Sequence, residues 1–228
     1  MRKEVKILGA IALVIVIAAI IGASYYRSSV QNERITTNSN SNKSSVNAEN
    51  LIRPDSATLG AADAPVTMVE FYDPECESCA SFHPVVKKIM KDYDGKIRLV
   101  ARYMPLHPNS LSAATFIEAA GEQGKYWQAQ EMLFQKQSEW GTKHGLPTEP
   151  PADINTLFKK YATELGLEMN KMDAAFAENR YQTKIQRDLQ DGQALGVRQT
   201  PTFFVNGRRL ARFSEADLRA LIEEELKK

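Results

Sequence analysis

The only two cysteines of this 228-residue chain, Cys76 and Cys79, stand three positions apart. They follow an apolar run, Val66–Tyr72, that is typical of a buried strand, and they open a segment, Cys76–Tyr93, with helical periodicity. Residues three apart on a first helical turn share one face and are close enough for a disulfide. The pattern therefore predicts a strand that ends just before a helix whose first turn carries both sulfurs.

A helix N-terminus changes the chemistry of a thiol. Unpaired backbone N–H groups and the positive end of the helix dipole stabilise the thiolate, and in Cys-x-x-Cys motifs the pKa falls from about 8.5 to roughly 3.5–7.5. We therefore expect Cys76 to be the exposed nucleophile. Cys79, one turn deeper, is expected to be the resolving sulfur that releases a mixed disulfide.

Three other uses of the cysteine pair are open to this sequence. A structural zinc site needs four ligands, and the remaining ones would have to come from His83, His107 or His144. A c-type haem needs a histidine directly after the second cysteine, where Ala80 stands. A structural disulfide that closes so small a loop removes little entropy from the unfolded chain. Redox chemistry without a metal or other cofactor is therefore the favoured interpretation.

The N-terminal part of the chain has a different composition. After a basic lead-in, Ile7–Ala23 runs for seventeen residues without a charge, which predicts a membrane anchor over residues 1–24 with a cytoplasmic N-terminus. A signal peptide removed near Ser24 is the alternative. Residues 25–58, dominated by Ser and Asn, are predicted to form a flexible linker. The formal net charge of +1 gives no electrostatic case for binding nucleic acid.

The rest of the chain predicts an α/β domain. Two strands, Val66–Tyr72 and Ile97–Tyr103, flank the cysteine helix, and a third, Thr202–Val205, follows near the C-terminus. Between the second and third strands, Ala-, Glu- and Gln-rich segments have helical periodicity. The order is therefore strand, helix, strand, helical block and strand.

The last part of the chain carries turn and capping signals. Asn206-Gly207 predicts a tight hairpin after the third strand, with residues 208–213 as the partner strand. Ser214 and Asp217 form a capping-box-like start for a final helix that ends at Leu226.

With these residues, the order resembles the thioredoxin fold with an inserted all-helical domain, the architecture of the DsbA-like family of thiol–disulfide oxidoreductases. The implied division is a first thioredoxin-like part over 59–107, a helical insertion over 108–192 and a second thioredoxin-like part over 193–228. The residues that carry the resemblance are Val69–Tyr72 with Cys76-Glu-Ser-Cys79, Pro84 within the helix, Arg102–Pro108 with Ala119–Trp127, and Gly196–Gly207.

The resemblance implies roles beyond the cysteines. Thr200-Pro201 corresponds to the family's cis-proline loop, whose backbone would pair with an extended substrate segment. Glu70 corresponds to a buried acid of the fold; burial would raise its pKa and let it relay the proton of Cys79. The alternative is a glutamate at a strand edge that reaches solvent.

The two residues between the cysteines depart from the most oxidising relatives. Those relatives commonly carry Pro-His, whereas this chain has Glu77-Ser78, with Asp73 and Glu75 close by in sequence. Neighbouring carboxylates oppose a thiolate and raise its pKa. We therefore interpret Glu77 and Ser78 as redox-tuning residues, and predict a Cys76 pKa above that of the strongly oxidising relatives and a weaker oxidant.

These interpretations combine into a membrane-tethered, extracytoplasmic disulfide oxidoreductase that oxidises cysteines of secreted or envelope proteins through Cys76–Cys79. The resemblance implies a membrane redox partner, DsbB-like or DsbD-like, that resets the pair, and the enzyme is expected to be a monomer. A reductase or isomerase on the same scaffold is one alternative. A non-catalytic metal- or peptide-binding module is the other.

Overall fold

A five-stranded sheet places the cysteine segment at its centre. The computed structural model describes residues 48–142 and 153–228. In these residues the strand order is β1-β3-β2-β4-β5, with β2 and β3 parallel and the other pairs antiparallel. The strands are β1 (Ala57–Leu59), β2 (Val66–Tyr72), β3 (Ile97–Tyr103), β4 (Thr202–Val205) and β5 (Arg208–Arg209).

The helices follow the predicted order. The cysteine helix α2 joins β2 to β3, and six helices, α3 to α8, lie between β3 and β4 in the described residues. A thioredoxin-like fold with an inserted helical region is thus confirmed. The helices are α1 (Ala48–Leu51), α2 (Glu77–Asp92), α3 (Ser110–Gly121), α4 (Tyr126–Gln135), α5 (Gln137–Trp140), α6 (Ile154–Glu164), α7 (Met169–Ala177), α8 (Gln182–Ala194) and α9 (Glu215–Glu225).

The predicted linker over residues 25–58 extends too far. Helix α1 lies inside that range, and β1 begins at Ala57 and pairs with β3. Leu51 is buried, and the guanidinium of Arg102 donates hydrogen bonds of 2.9 and 2.7 Å to the carbonyls of Asn50 and Leu51. The polar composition hid this anchoring because it depends on a distant arginine and on a three-residue edge strand.

The C-terminal hairpin is shorter than predicted. Asn206 and Gly207 form the turn with positive φ, as expected, but β5 spans only Arg208–Arg209 instead of residues 208–213. One further backbone hydrogen bond joins Leu210 to Phe203, after which the chain bends at Arg212 towards α9. Both residues of β5 are exposed at the sheet edge, so no apolar face extends the pairing.

The side chains of β2 point alternately into two apolar cores, one on each face of the sheet. Val66 and Met68 pack with α2 and α9 on one face of the sheet, and Val69 and Phe71 pack on the other. By the same alternation, Glu70 points to the α2 face. A third apolar cluster, built mainly from the helices that follow β3, includes both cysteines, so the helical region packs directly on the site.

Within residues 48–142 and 153–228, none of the helices has the length and apolar character needed to cross a membrane. The predicted anchor over residues 1–24 lies outside the described residues, as does most of the predicted linker.

A buried cation ties α8 to the sheet. Arg102 is fully buried and pairs with Asp188 at 2.9 Å and Asp191 at 2.6 Å, and its guanidinium lies over the ring of Phe71. Removing one member of a buried ion pair destabilises the fold strongly, because the other member remains as a buried charge without a partner.

We expect Arg102→Ala to lower the free energy of unfolding by about 3–5 kcal/mol, because Asp188 and Asp191 would remain buried without it. Arg53→Ala is the matched control: Arg53 also pairs with Asp191, at 2.7 Å, but lies nearer the surface, so its loss should cost about 1 kcal/mol or less. Urea unfolding followed by circular dichroism measures both, and equal losses would contradict the assignment.

Candidate active site

The turn between β2 and α2 sets the position of both sulfurs. The backbone N–H of Cys76 donates to the carbonyl of Asp73 at 3.1 Å, which closes the turn. Cys76 is the N-cap residue of α2 in an extended conformation, and Cys79 lies in the first helical turn. Both are free thiols in this structure. The local chain thus places the pair at the helix N-terminus, as the sequence predicts.

The expectation of an exposed Cys76 was wrong in degree. Cys76 is 8% exposed and Cys79 is 1% exposed, so both are buried and only the first has any opening to solvent. The reason is packing: both cysteines join the apolar cluster of the helical region. A substrate sulfur must therefore approach through a narrow opening.

The two thiols have opposite pKa shifts. The pKa of Cys76 falls to about 5, chiefly because the Cys79 thiol donates a hydrogen bond to the Cys76 thiolate. Burial opposes this shift. The Thr200 side chain and the backbone N–H groups of Ser78 and Cys79 stabilise the thiolate further. The pKa of Cys79 rises well above its usual value because it is buried and lies beside Cys76 and Glu70. Cys76 is therefore the thiolate at neutral pH.

The acidic residues before Cys76 are buried and hydrogen-bonded, and their predicted effect of raising the pKa of Cys76 above that of strongly oxidising relatives stays a prediction. Asp73 is fully buried, and its carboxylate accepts hydrogen bonds from the backbone N–H of Glu75 at 2.8 Å and of Leu106 at 2.6 Å, and from the Ser110 hydroxyl. Glu75 accepts from the backbone N–H groups of Asn109 at 2.6 Å and Thr142 at 2.8 Å. The donors come from the turn itself, from the segment after β3 and from the helical region, and they weaken the repulsion between these carboxylates and the thiolate.

The two intervening residues lie on the surface. Glu77 and Ser78 are both exposed. Ser78 contributes its backbone N–H to the Cys76 thiolate, while the Glu77 carboxylate stands in solvent, where its effect is screened. Redox tuning by these two side chains stays a prediction.

His107 is a site residue that the sequence analysis considered only as a possible zinc ligand. Its Nδ1 lies 2.7 Å from the Asp73 carboxylate, and its side chain is 19% exposed. Although partial burial opposes it, the pKa of His107 is raised by Asp73 and also by the nearby Cys76 thiolate. Local hydrogen bonds dominate the pKa of Cys76, so the contribution of this cation is smaller than theirs. A Pro-Leu-His-Pro run directly after β3 was the available signal.

The cis-proline loop lies opposite the cysteines. The Thr200–Pro201 peptide bond is cis, and β4 begins directly after it and pairs with β2. The Thr200 carbonyl is 3.4 Å from the Cys76 Sγ and accepts a hydrogen bond from the thiol form. Pro201 itself is buried. The loop therefore brings backbone groups to the edge of the reactive sulfur.

Glu70 is buried in the middle of the sheet. It lies on β2 between Ala101 of β3 and Phe203 of β4 and is 6% exposed, so it does not reach solvent at a strand edge. Burial raises its pKa to about 8, and its carboxyl group makes no hydrogen bond within the described part of the chain. It borders a cavity of about 90 Å³ shared with His83, Glu131 and Lys87.

The histidines offered as zinc ligands are not gathered in what the structure describes. His83 borders the Glu70 cavity, His107 pairs with Asp73, and His144 lies outside the described residues. Among residues 48–142 and 153–228, no three His, Cys, Asp or Glu side chains are placed to hold a metal ion.

Comparison with known proteins places the chain in a family. The thioredoxin family model matches residues 53–224, which include the cysteines, Glu70 and Pro201. The chain belongs to the thioredoxin family. The match begins within the segment predicted as linker, in agreement with the ordered residues before β2.

Solved structures narrow the relationship to the DsbA-like architecture. BdbD from Bacillus subtilis in its oxidised form is 25% identical, covers 76% of this chain and 94% of its own, and superposes with a TM-score of 0.66. A thioredoxin-like oxidoreductase from Silicibacter pomeroyi is 26% identical, with 80% and 99% coverage and a TM-score of 0.66. Wolbachia pipientis alpha-DsbA1, 23% identical, shares the fold with a TM-score of 0.67 over 78% of this chain and 94% of its own. The predicted DsbA-like architecture is confirmed by these superpositions.

Curated relatives share only a part. A Na⁺/H⁺ antiporter, NhaA 3 of Salinispora tropica, is 37% identical over 153 residues, which is 66% of this chain and 21% of that protein. The antiporter NhaA of Herminiimonas arsenicoxydans is 33% identical over 151 residues, with 66% and 22% coverage. The chain spans about a fifth of the length of these relatives, so their transport activity is not carried over.

We expect His107→Gln to raise the pKa of Cys76 by about 0.5–1 unit. His107 has a raised pKa and is therefore protonated where Cys76 titrates, and its removal leaves the Asp73 carboxylate facing the thiolate without its cation. Thiolate absorbance near 240 nm, followed against pH, measures the shift. His83→Gln is the matched control, because Cys76 is not among the groups that shift the pKa of His83. An unchanged Cys76 pKa in His107→Gln would show that His107 does not stabilise the thiolate.

Proposed function

We propose that this protein catalyses thiol–disulfide exchange with secreted or envelope proteins outside the cytoplasm, and that its net direction is dithiol oxidation. The observation that carries the proposal is the division of charge between the two sulfurs. Cys76, with a pKa of about 5, is a stable thiolate and a good leaving group, whereas the raised pKa of Cys79 keeps it protonated. A reduced form stabilised in this way makes a protein a stronger oxidant.

The oxidising cycle starts from the Cys76–Cys79 disulfide. A substrate thiolate attacks the Cys76 sulfur, a mixed disulfide forms, and Cys79 leaves and takes up a proton. A second substrate thiolate then attacks the substrate sulfur of the mixed disulfide, and Cys76 leaves as a thiolate. Two electrons pass from the substrate to the cysteine pair, and no cofactor besides that pair takes part.

Glu70 is the proposed proton donor for Cys79. Its raised pKa of about 8 keeps it protonated at neutral pH. Its ionised form raises the pKa of Cys79, so the two groups are close enough to interact. The cavity of about 90 Å³ beside it is roomy enough for water. Water there would return the proton from solvent past the Lys87–Glu131 ion pair, which lines the same cavity.

The Thr200–Pro201 loop is the proposed substrate-binding element. Its backbone is next to Cys76 and would pair with an extended segment of substrate, which makes recognition largely independent of substrate sequence. A membrane redox partner, DsbB-like or DsbD-like, would reset the pair. The proposed tether is the apolar segment over residues 7–23, with the N-terminus in the cytoplasm, or a secreted form after cleavage. The protein is proposed to act as a monomer.

The direction of exchange is tested by equilibrating the full chain with glutathione buffers. We expect a reduction potential between about −200 and −120 mV, on the oxidising side of the range for this fold. A potential near about −270 mV would favour the alternative, a reductase. Cys76→Ser should abolish oxidation of a reduced substrate protein. Cys79→Ser, mixed with a disulfide-bonded substrate, should accumulate the mixed disulfide between Cys76 and one substrate sulfur, which mass spectrometry detects.

The relay is tested with Glu70→Gln. Because the glutamine cannot supply a proton to Cys79 as it leaves, we expect formation of the mixed disulfide to slow by about 10- to 100-fold near pH 7. Single-turnover quenching and mass spectrometry separate this step from release by the second substrate thiol, in which Cys76 leaves as a thiolate and which should change little. Glu77→Gln, at an exposed position between the cysteines, is the control. Unchanged formation of the mixed disulfide in Glu70→Gln would refute the relay.

The same substitution has a stability signature. The pKa of Glu70 is raised on folding, so its favourable contribution is complete below pH 4.5 and is lost as the pH rises through about 8. The comparison is made in a Cys76→Ser/Cys79→Ser parent protein. As the pH rises from 5 to 9, the free energy of unfolding of the Glu70→Gln variant should increase relative to that of the parent, by on the order of 3 kcal/mol at pH 9. Urea unfolding at both pH values measures it, and a pH-independent difference would contradict the raised pKa.

A further inference from the structure

A groove lies beside the cis-proline loop. It encloses about 420 Å³ and is lined by Pro201, Gln199, Arg209 and Phe213, among others. Thr200, the residue before Pro201, has its carbonyl 3.4 Å from the Cys76 Sγ. A substrate chain bound at the cysteine pair therefore has the groove within a few residues of its reactive cysteine, given about 3.3 Å per extended residue.

The groove carries a cation that the fold does not neutralise. Arg209 is exposed, and its Nη1 donates to the carbonyl of Gly196 at 2.9 Å. No carboxylate of the described residues pairs with it, and the same holds for Arg198, which is exposed two positions before Thr200. By contrast, neighbouring Arg212 pairs with Asp217 at 2.6 Å and Arg208 pairs with Glu225 at 2.8 Å. The unpaired guanidinium groups thus stand on the cis-proline side of the site.

An aromatic surface lies in the same groove. The ring of Phe213 is 46% exposed and packs on Phe82 with 4.6 Å between ring centroids. Phe82 packs in turn on Phe203, at 5.6 Å. An exposed ring held in place by two others offers apolar contact with little loss of side-chain entropy.

The residue that follows Cys76 carries the opposite charge. Glu77 is exposed, and none of the described residues supplies it with a cation. It borders a second cavity, of about 240 Å³, together with Glu75 and Gln137. Two exposed charges of opposite sign therefore border the two cavities near the site, Arg209 in the groove and Glu77 directly after Cys76.

We propose that the Arg209 groove selects substrate segments that carry an Asp or Glu and an apolar side chain close to the reactive cysteine. This selection rests on the proposed function and adds a charge preference to it. Backbone pairing at Thr200–Pro201 holds any extended segment, and Arg209 and Phe213 then favour an acidic one. A lysine in the same place meets an unpaired guanidinium and is disfavoured. Because Arg209 is solvated, the preference is modest and falls with salt.

The test uses peptides with one cysteine and one variable residue, Glu, Gln or Lys, placed two to four positions from the cysteine on either side. Each reduced peptide is mixed with the oxidised full-length protein, and the rate of mixed-disulfide formation is measured by quenching and mass spectrometry. Rates are divided by the rate of the same peptide with a small-molecule disulfide, which removes the effect of the variable residue on the pKa of the peptide thiol.

We expect a normalised Glu-to-Lys rate ratio of about 3–5 at low salt on one side of the peptide cysteine, and a ratio near unity at high salt. Arg209→Gln should lose the preference and Arg209→Glu should invert it. Arg198→Gln should reduce it. Arg212→Gln is the matched control: this exposed arginine is already paired with Asp217, and its loss should leave the ratio unchanged.

Two failures are distinguishable. If no peptide reacts with the native protein, the proposed function is wrong. If peptides react but the ratio is the same in the native protein, Arg209→Gln and Arg209→Glu, the function stands and the charge preference is refuted. Unfolding midpoints of the variants verify that a lost preference is not a lost fold.

Discussion

The turn between β2 and α2 contains two buried carboxylates, and the site depends on the hydrogen bonds that satisfy them. Asp73 and Glu75 accept hydrogen bonds from backbone N–H groups of the segment after β3 and of Thr142. These bonds link the helical region to the turn that contains Cys76. Without these donors, two desolvated negative charges would face a thiolate, and both the turn and the thiolate would be unfavourable. The position of the reactive sulfur is therefore a property of both parts of the fold.

This arrangement explains how an acidic motif coexists with a low thiol pKa. Counting carboxylates in sequence predicts repulsion, but the effect of a carboxylate depends on what else it binds. Asp73 faces His107, a hydroxyl and backbone N–H groups, while the Cys76 thiolate has its own donors in Cys79, Thr200 and the helix start. Short-range hydrogen bonds outweigh the longer-range repulsion between satisfied charges.

The fold was largely predictable because its signals are local. Periodicity located β2, β3, β4 and the helices, and the two cysteines located the start of α2. What failed depended on contacts between distant residues: the ordering of residues 48–58 by Arg102, and the early end of β5. In the site, Cys76, Cys79, Glu70 and Pro201 were found by pattern and resemblance. The pairing of His107 with Asp73 was missed because its partner lies 34 positions away.

Helix α2 separates two proton environments, and that separation supports the proposed direction of exchange. At its N-terminus, donors converge on Cys76 and hold negative charge. Beneath it, Cys79 and Glu70 share a desolvated space in which both pKa values rise and both groups keep their protons. In a mixed disulfide with Cys76, the sulfur that must leave readily is the one already stabilised as a thiolate. Release of oxidised substrate is thereby favoured over attack by the protonated Cys79, the step that would return the pair to its disulfide form.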